Sequence, residues 1–228
     1  MNTIEELRCG ILNCNNCPLH QENIKLRDLF EEDPNLGYGN PVPGIGLPTA
    51  RMMIFGEAPG ADEVKSGKPF VGKAGNLLRQ ALEEIEADPR DIYIANVINC
   101  RPPGNKFPTE EETIAACVPW ARKQIAAIRP KVVVGLGSQP LKYIFRSKEK
   151  LSSVYGQQFP WHINAINLDT IYAPSLHPSF CLRPGRNYDI LDSDEMSDGQ
   201  KMMALTISEK TDMLKRHLFD AYQLLEEI

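Results

Sequence analysis

Four short apolar runs alternate along the chain with stretches of helical periodicity, and this alternation constrains the fold most. The runs cover residues 51–56, 91–99, 131–137 and 170–174. Residues 72–86 place apolar side chains at helical spacing, and Thr109 with Glu112 form a capping-box pattern that predicts a helix to about residue 128. Strands alternating with helices predict an α/β fold, in which a mostly parallel four-stranded sheet is covered on both faces.

The carboxyl ends of these strands are the expected place for a ligand, because open parallel sheets bind ligands there. In this chain those ends are GEAPG at 56–60, residues 96–100, GLGSQ at 135–139 and SLHPS at 175–179. We therefore expect these four segments to form one site.

The glycine-rich stretch GEAPGADEVKSGKPFVGKAGNLL at residues 56–78 is the first candidate for a binding loop. It does not match a phosphate-binding P-loop, because its central glycines are two residues too far apart and Lys68 is followed by Pro69. Its acidic residues would also repel phosphate. The stretch therefore favours a less anionic ligand with a flat apolar face for Phe70.

Length and charge limit the classes of protein that this chain fits. With 228 residues it is predicted to form a single domain over residues 1–228. Residues 186–228 contain 5 Lys/Arg and 10 Asp/Glu, which accounts for the whole net charge of −5. An acidic loop is predicted at 187–200 and a C-terminal helix at about 209–227. No long apolar run and no secretory signal is visible, so we expect a cytoplasmic protein without membrane contact.

Six cysteines suggest a metal centre rather than disulfides in a cytoplasmic protein. Cys14 and Cys17 form a C-x-x-C pair, whereas Cys100 and Cys117 stand 17 positions apart. Four thiolates can hold zinc or an iron–sulfur cluster, and the uneven spacing suits a cluster better. The alternative is that Cys100 and Cys117 are ordinary buried thiols. The other two cysteines have no comparable spacing.

Several motifs taken together resemble the family 4 uracil-DNA glycosylases, the iron–sulfur members of the uracil-DNA glycosylase superfamily. The matching segments follow the family order and extend over most of residues 10–185: C-x-x-C at 14–17, GEAPGADE at 56–63, GKPFVGKAG at 67–75, IANVINCRPPGN at 94–105, PTEEE with a cysteine at 108–117, PKVVVGLG at 130–137 and HPS at 177–179. Each segment alone is weak evidence, but the ordered set is specific.

The resemblance implies a three-layer α/β/α fold, a DNA-repair activity and a set of site residues. It implies a [4Fe–4S] cluster on Cys14, Cys17, Cys100 and Cys117. The uracil pocket is expected to contain Gly56, Glu57, Ala58, Phe70, Asn96 and His177. We expect DNA contacts from Asn105, Ser179, Phe180, Leu182 and Arg183, with Phe180 or Leu182 as the wedge that fills the gap in the base stack.

The expected reaction is hydrolysis of the N-glycosidic bond of a uracil turned out of DNA. His177 is predicted to stabilise the negative charge that develops on the leaving uracil. Glu57 is predicted to orient water or contact uracil, with Glu63 as the reserve, because Ala58 stands where related branches carry an Asp.

The expected partner is uracil-containing DNA, single- or double-stranded, and the chain is predicted to be a monomer. Two other interpretations remain open from the sequence: a non-catalytic iron–sulfur DNA-binding protein of the same fold, and a zinc-stabilised nucleotide-binding module.

Overall fold

The computed structural model describes residues 3–29, 39–186 and 196–227. In chain order the described elements are α1 (Ile4–Leu12), α2 (Pro18–Leu29), β1 (Met52–Gly56), α3 (Ala61–Ser66), α4 (Lys73–Glu84), β2 (Ile92–Asn96), α5 (Glu111–Ile128), β3 (Val132–Leu136), α6 (Ser138–Tyr143), α7 (Leu151–Val154), β4 (Phe159–Ile163), β5 (Leu168–Ser175), α8 (Pro178–Cys181), α9 (Asp198–Ala204) and α10 (Ile207–Glu227).

The described strands form a single sheet in the order β2-β1-β3-β5-β4. Strands β2, β1, β3 and β5 are parallel to one another, and the edge strand β4 pairs antiparallel with β5. The predicted α/β class is therefore confirmed, but the predicted count of four strands was wrong, because the sheet has five. β4 was missed because its sequence, FPWHI, contains Pro160, which cannot donate a ladder hydrogen bond and is tolerated in an edge strand.

Successive side chains of the central strands point to opposite faces, so each strand contributes to two cores. On one face Met53 and Phe55 pack with residues of α1 and α5. On the other face Met52 and Ile54 pack with residues of α4 and α10. All five residues of β1 are buried, which is typical of a strand covered by helices on both sides. These two cores give the three layers that the resemblance implied.

The predicted helices are present with shifted ends. Residues 72–86 contain α4, and α5 ends at Ile128 as predicted. The capping box was wrong: α5 begins at Glu111, and its N-cap Glu110 makes no side-chain capping bond, so Thr109 lies outside the helix. The C-terminal helix begins at Ile207. Residues 187–195 of the predicted acidic loop lie outside the described residues, and α9 begins within its last part.

Among the described helices, none combines the length and the apolar character that crossing a bilayer requires.

Candidate active site

One pocket of about 280 Å³ opens at the carboxyl ends of β1, β2 and β5. It brings together residues that are far apart in the chain: Glu57, Ala58, Pro59, Gly60, Glu63, Phe70, Ala74, Asn96, Pro102, Asn105, Phe107, His177, Ser179 and Arg183. Most of the predicted site residues are therefore among those lining it. Gly56, Phe180 and Leu182 are not.

Glu57 follows β1 directly and its carboxylate lies against the beginning of α6. It accepts hydrogen bonds from the backbone N–H groups of Ser138 and Gln139. Burial raises the pKa of Glu57 above its ordinary value, whereas these two bonds and the charge of Arg183 oppose the rise. Gly137 makes this arrangement possible: its φ is +94°, and a Cβ at this position would lie only 2.6 Å from Glu57 Oε1, so larger residues are excluded.

Glu63 is held by the loop that surrounds it. Its Oε2 accepts from the backbone N–H of Gly60 at 2.9 Å, and its Oε1 accepts from those of Val71 and Gly72 at 2.8 Å each. The carboxylate thus ties the start of α3 to the segment that precedes α4. Its role as a reserve water activator stays a prediction, and both of its oxygens are already engaged in structural hydrogen bonds.

Phe70 forms an apolar wall of the pocket and is held in an uncommon backbone conformation. Its φ is +55°, and its side chain is buried. This conformation is held by the hydrogen bonds that the backbone N–H groups of the next two residues donate to Glu63, and by one that the Arg79 guanidinium donates to the Phe70 carbonyl oxygen. The Phe70 ring lies 5.9 Å from the ring of His177.

Asn96 is the last residue of β2 and pairs in register with Gly56 of β1. Its side chain is 2% exposed and lines the pocket. A Cβ on Gly56 would lie 2.6 Å from Asn96 Oδ1 and would also collide with the Phe70 ring. Because Gly56 has no side chain, Phe70 and Asn96 can approach each other, although Gly56 itself does not line the cavity.

His177 is the N-cap of α8 and its ring orientation is set by Ser179. Its Nδ1 accepts from the Ser179 backbone N–H at 3.1 Å and lies 2.8 Å from Ser179 Oγ. Because Nδ1 is an acceptor, the ring hydrogen of the neutral imidazole is on Nε2. Burial, helped by the charge of Arg183, lowers the pKa of His177 to about 4, so the ring is neutral at pH 7.

The segment after His177 places the remaining predicted DNA contacts in different environments. Arg183 lines the pocket. Leu182 is exposed, with 39% of its surface accessible, whereas Phe180 packs against the core around α10. Lys210 of α10 is buried beneath this segment: its ammonium group donates to the Arg183 carbonyl oxygen and lies 4.7 Å from the centre of the Phe180 ring.

Asn105 lies at the rim of the pocket, where its Oδ1 accepts from Arg101 Nε at 2.9 Å. Sequence reasoning missed two further residues of this neighbourhood. Phe107 lines the pocket, but a single aromatic residue in a proline-rich loop belongs to no helical or strand pattern of apolar residues, so it was overlooked. The signal that could have identified it is its position just after the RPPGN motif. Lys210 had no signal, because a lysine in an amphipathic helix is normally solvated.

The four predicted cluster ligands surround a second, small pocket. Cys14, Cys17, Cys100 and Cys117 line it together with His20 and Asn99. Within residues 3–29, 39–186 and 196–227, no group of three or more His, Cys, Asp or Glu side chains is arranged to hold a metal ion. The thiols are thus gathered around one cavity without an arrangement for a single ion.

The surroundings of these thiols carry unused polar groups. The backbone N–H and side-chain amide of Asn99 donate to Cys117 Sγ at 3.3 and 3.4 Å. Burial raises the pKa of the Cys117 thiol to about 12, against these bonds, and burial also raises the pKa of Cys100. Asn99 Oδ1 and His20 Nδ1 are buried without a hydrogen-bond partner. A pocket of thiols with such leftover polar groups fits an inorganic group that binds thiolates.

Comparisons with known proteins agree with the motifs. A family model described as the uracil DNA glycosylase superfamily matches residues 43–195. A type-4 uracil-DNA glycosylase of Sulfurisphaera tokodaii is 38% identical over 199 residues, which cover 85% of this chain and 82% of that protein. One from Thermotoga maritima is 37% identical over 175 residues, or 76% of this chain and 80% of that protein. A type-5 uracil-DNA glycosylase of Thermus thermophilus is 34% identical over 143 residues, 54% of this chain and 64% of that protein.

Proposed function

We propose that this chain, which belongs to the uracil DNA glycosylase superfamily and within it to the type-4 uracil-DNA glycosylases, excises uracil from DNA by hydrolysing the N-glycosidic bond. The observation that carries the proposal is the neutral His177, whose ring hydrogen is on Nε2, in one pocket with Phe70 and Asn96. These three side chains supply a hydrogen-bond donor for a leaving group, a flat apolar wall and a base-reading amide.

Recognition of the base is assigned to Phe70 and Asn96. A uracil turned out of the DNA stack would lie with one face on the Phe70 ring. The Asn96 amide can donate to uracil O4 and accept from N3–H with one side chain. Cytosine presents an amino group and a bare ring nitrogen at those positions, so the buried Asn96 would be left mispaired.

Stabilisation of the leaving group is assigned to His177. Bond cleavage builds positive charge on the sugar and negative charge on the uracil O2. A neutral imidazole that carries its hydrogen on Nε2 can donate to that oxygen without first acquiring a proton. The bond to Nδ1 from Ser179 holds the donor in place before the reaction starts, which is the arrangement that stabilises developing charge best.

Positioning of the attacking water is assigned to Glu57. Its carboxylate is the candidate because the oxygens of Glu63 are engaged by three backbone N–H groups and the Ala58 side chain has no polar atom. The two bonds from α6 fix the orientation of the Glu57 carboxylate at the edge of the pocket. In this assignment, stabilisation of the leaving group by His177 contributes most of the rate enhancement, and positioning of the water by Glu57 contributes less.

Contacts with DNA are assigned to the segment after His177. Leu182 is the better wedge, because its side chain is exposed whereas Phe180 is packed against the core and Lys210. Arg183 would contact a phosphate next to the extruded nucleotide, with Asn105 and Ser179 at the rim of the pocket. The DNA substrate fits the cytoplasmic location that the sequence predicts, and the monomeric state stays a prediction.

A [4Fe–4S] cluster would be held by Cys14, Cys17, Cys100 and Cys117, with the two N–H groups of Asn99 directed to Cys117. When bound, it would supply a structural link rather than reaction chemistry. The connection that it strengthens is already visible in the chain: Asn23 of α2 donates to the Arg101 carbonyl oxygen at 2.9 Å. The link would hold the N-terminal helices against the strand end that carries Asn96.

The proposal is tested with an oligonucleotide that contains a single uracil, incubated with the protein and then treated with alkali. We expect strand scission at the uracil, none in a matched thymine oligonucleotide and strongly reduced scission with the His177→Ala variant. An intact strand bound by a folded, cluster-containing protein would instead support a non-catalytic DNA-binding protein.

A further inference from the structure

Apart from the two pockets described above, a groove of about 620 Å³ lies between α5 and the segment formed by α6 and the residues after it. Its walls carry three basic side chains, Arg122, Lys142 and Arg146, together with the ring of Tyr143. We call these four residues the basic groove. Lys142 and Arg146 are exposed, whereas Arg122 is half-buried.

The basic groove and the pocket that contains His177 meet at two stacked aromatic rings. Phe107 lines that pocket, and its ring stacks on the ring of Tyr143 with a centroid distance of 5.7 Å and an interplanar angle of 13°. The same helix, α6, donates to the Glu57 carboxylate from its first residues and carries Lys142 and Tyr143 at its end. A DNA strand that left the pocket over Phe107 would therefore next reach Tyr143 of the groove.

Two of the three cations contact Tyr143. Arg122 donates to the Tyr143 carbonyl oxygen at 3.0 Å, and the Lys142 ammonium lies 4.9 Å from the centre of the Tyr143 ring. Among the described residues, no ion pair involves Arg122, Lys142 or Arg146. Burial and the charge of Arg146 lower the pKa of Arg122 below its ordinary value, so the like charges are close enough to repel each other.

Such a cluster is unfavourable by itself and becomes favourable when an anion lies between the charges. The chain as a whole is acidic, with a net charge of −5, and would repel an anionic polymer such as DNA. Binding of such a polymer therefore requires a local basic surface. Within the described part of the chain, Glu111 is the one carboxylate that lines the groove, and it belongs to α5. The anion is therefore expected on the opposite wall, at Lys142 and Arg146.

We infer that the basic groove binds phosphates of the target DNA strand on one side of the extruded nucleotide. This inference rests on the proposed function, because it takes the pocket as the place of the extruded base. Lys142 and Arg146 contact phosphates, and Arg122 acts as a positioning residue that holds the Tyr143 backbone. Tyr143 and Phe107 form the floor over which the strand passes from the pocket into the groove.

The test compares the double variant Lys142→Gln/Arg146→Gln with the matched control Lys148→Gln/Lys150→Gln, whose exposed lysines lie in the same stretch but do not line the groove. The measurement is the Kd for a DNA oligonucleotide as a function of salt concentration. Since each lost phosphate contact lowers the slope of log Kobs against log salt by about 1, we expect the groove variant to lose about 2 and the control none.

Substrates cut back on one side of the uracil or on the other sharpen the test. We expect the defect of the groove variant to disappear with one of the two truncations and to persist with the other. An unchanged salt slope, or a defect that persists with both truncations, would overturn the inference. The groove variant should keep the far-UV circular dichroism spectrum and the Tm of the wild-type protein, which excludes misfolding as the cause of the changed salt slope.

The two proposals fail in different ways. If the wild-type protein excises uracil but the groove variant keeps the wild-type salt slope, the groove does not bind DNA phosphates and the proposed function is retained. If the wild-type protein binds DNA with the groove-dependent slope but leaves uracil in place, the function is wrong and the groove stands as a nucleic-acid contact.

Discussion

The Nδ1 atom of His177 accepts a hydrogen bond from the backbone N–H of Ser179 across 3.1 Å, and this contact leaves Nε2 as the nitrogen that carries the ring hydrogen. Protonation of the ring would put a hydrogen on Nδ1 against that N–H. The bond therefore works in the same direction as burial, which lowers the pKa of His177 to about 4. The neutral ring is the form that fits the assigned role.

The first prediction is that His177 stays neutral across the range in which an ordinary histidine titrates. Imidazole NMR of protein labelled in its histidines should give His177 an apparent pKa of about 4, well below the ordinary 6.5. The single-turnover rate of uracil excision should accordingly show no inflection caused by His177 near pH 6.5. A His177 titration near that value, identified by its absence in the His177→Ala variant, would contradict the assignment.

The second prediction orders the two catalytic candidates. Removing a donor that stabilises a developing anion costs about 10²–10³-fold in rate, so His177→Ala should lose that much in single-turnover excision. Glu57→Ala should lose less. Because Glu57 also accepts from Ser138 and Gln139, the Glu57→Gln variant serves as a control that keeps an acceptor oxygen for α6. Equal losses, or a larger loss for Glu57→Ala, would reverse the roles.

Much of the pocket could be predicted because its residues occur in short motifs at strand ends. The strand ending at Gly56 and the strand ending at Asn96 bring Glu57 and Asn96 to the same edge of the sheet, and this follows from parallel pairing alone. Phe70 and the segment with His177 were also placed at the site from the sequence pattern, but their roles as base wall and hydrogen-bond donor came from the resemblance, because a lone aromatic or histidine is more often part of a core.

Other features depend on tertiary contacts that no local pattern contains. The edge strand β4 contains Pro160, which argues against a strand unless the partner on one side is absent. Glu63 sits in an acidic loop where a solvated carboxylate is expected, yet it binds three backbone N–H groups contributed by two separate turns. The choice between Phe180 and Leu182 depends on where α10 packs, which their own segment does not encode.

The third prediction concerns Lys210 as a positioning residue. Its buried ammonium group donates to the carbonyl oxygen of Arg183, and that residue lines the pocket and lies close enough to affect the pKa of His177. Lys210→Met keeps the volume but removes the donor, so the segment from His177 to Arg183 should lose its anchor. We expect a loss of about 10- to 100-fold in kcat/KM, since small misplacements of catalytic groups have large effects.

The control for Lys210 is Lys201→Met, which alters an exposed lysine of α9. Lys201→Met should leave kcat/KM unchanged. Lys210→Arg, which can still donate, should recover part of the activity if positioning is the cause. A Lys210→Met protein with wild-type kcat/KM and a lower Tm would assign Lys210 a purely structural role.

The fourth prediction separates the four clustered cysteines from the other two. Cys117→Ala should remove the visible absorption of an iron–sulfur cluster and lower Tm by several degrees, because the cluster links elements that are distant in the chain. Cys181→Ala is the matched control: Cys181 is also buried, but its Sγ contacts the Lys210 carbonyl oxygen and lies outside the thiol pocket. It should keep the full absorption. If the purified protein instead contains stoichiometric zinc and shows no visible absorption, the four cysteines bind a zinc ion and not an iron–sulfur cluster.

The fifth prediction is a loss of stability in mild acid that is traced to His217. Its Nδ1 lies 3.0 Å from the hydroxyl oxygen of Ser175 at the end of β5, and its ring lies 5.7 Å from that of Tyr155. Burial lowers the pKa of His217 from 6.5 to about 4; the nearby Asp220 raises it and Arg216 lowers it further.

Between pH 6.5 and about 4, the unfolded chain binds a proton that folded His217 does not, so the free energy of unfolding falls as the pH is lowered through this window. His177 contributes in the same direction, because its pKa is lowered to a similar value. Replacing His217 by Gln should therefore remove about half of the histidine-dependent loss. Urea unfolding at pH 7 and pH 5 measures it. The same pH dependence in wild type and His217→Gln would show that His217 titrates normally in the folded protein.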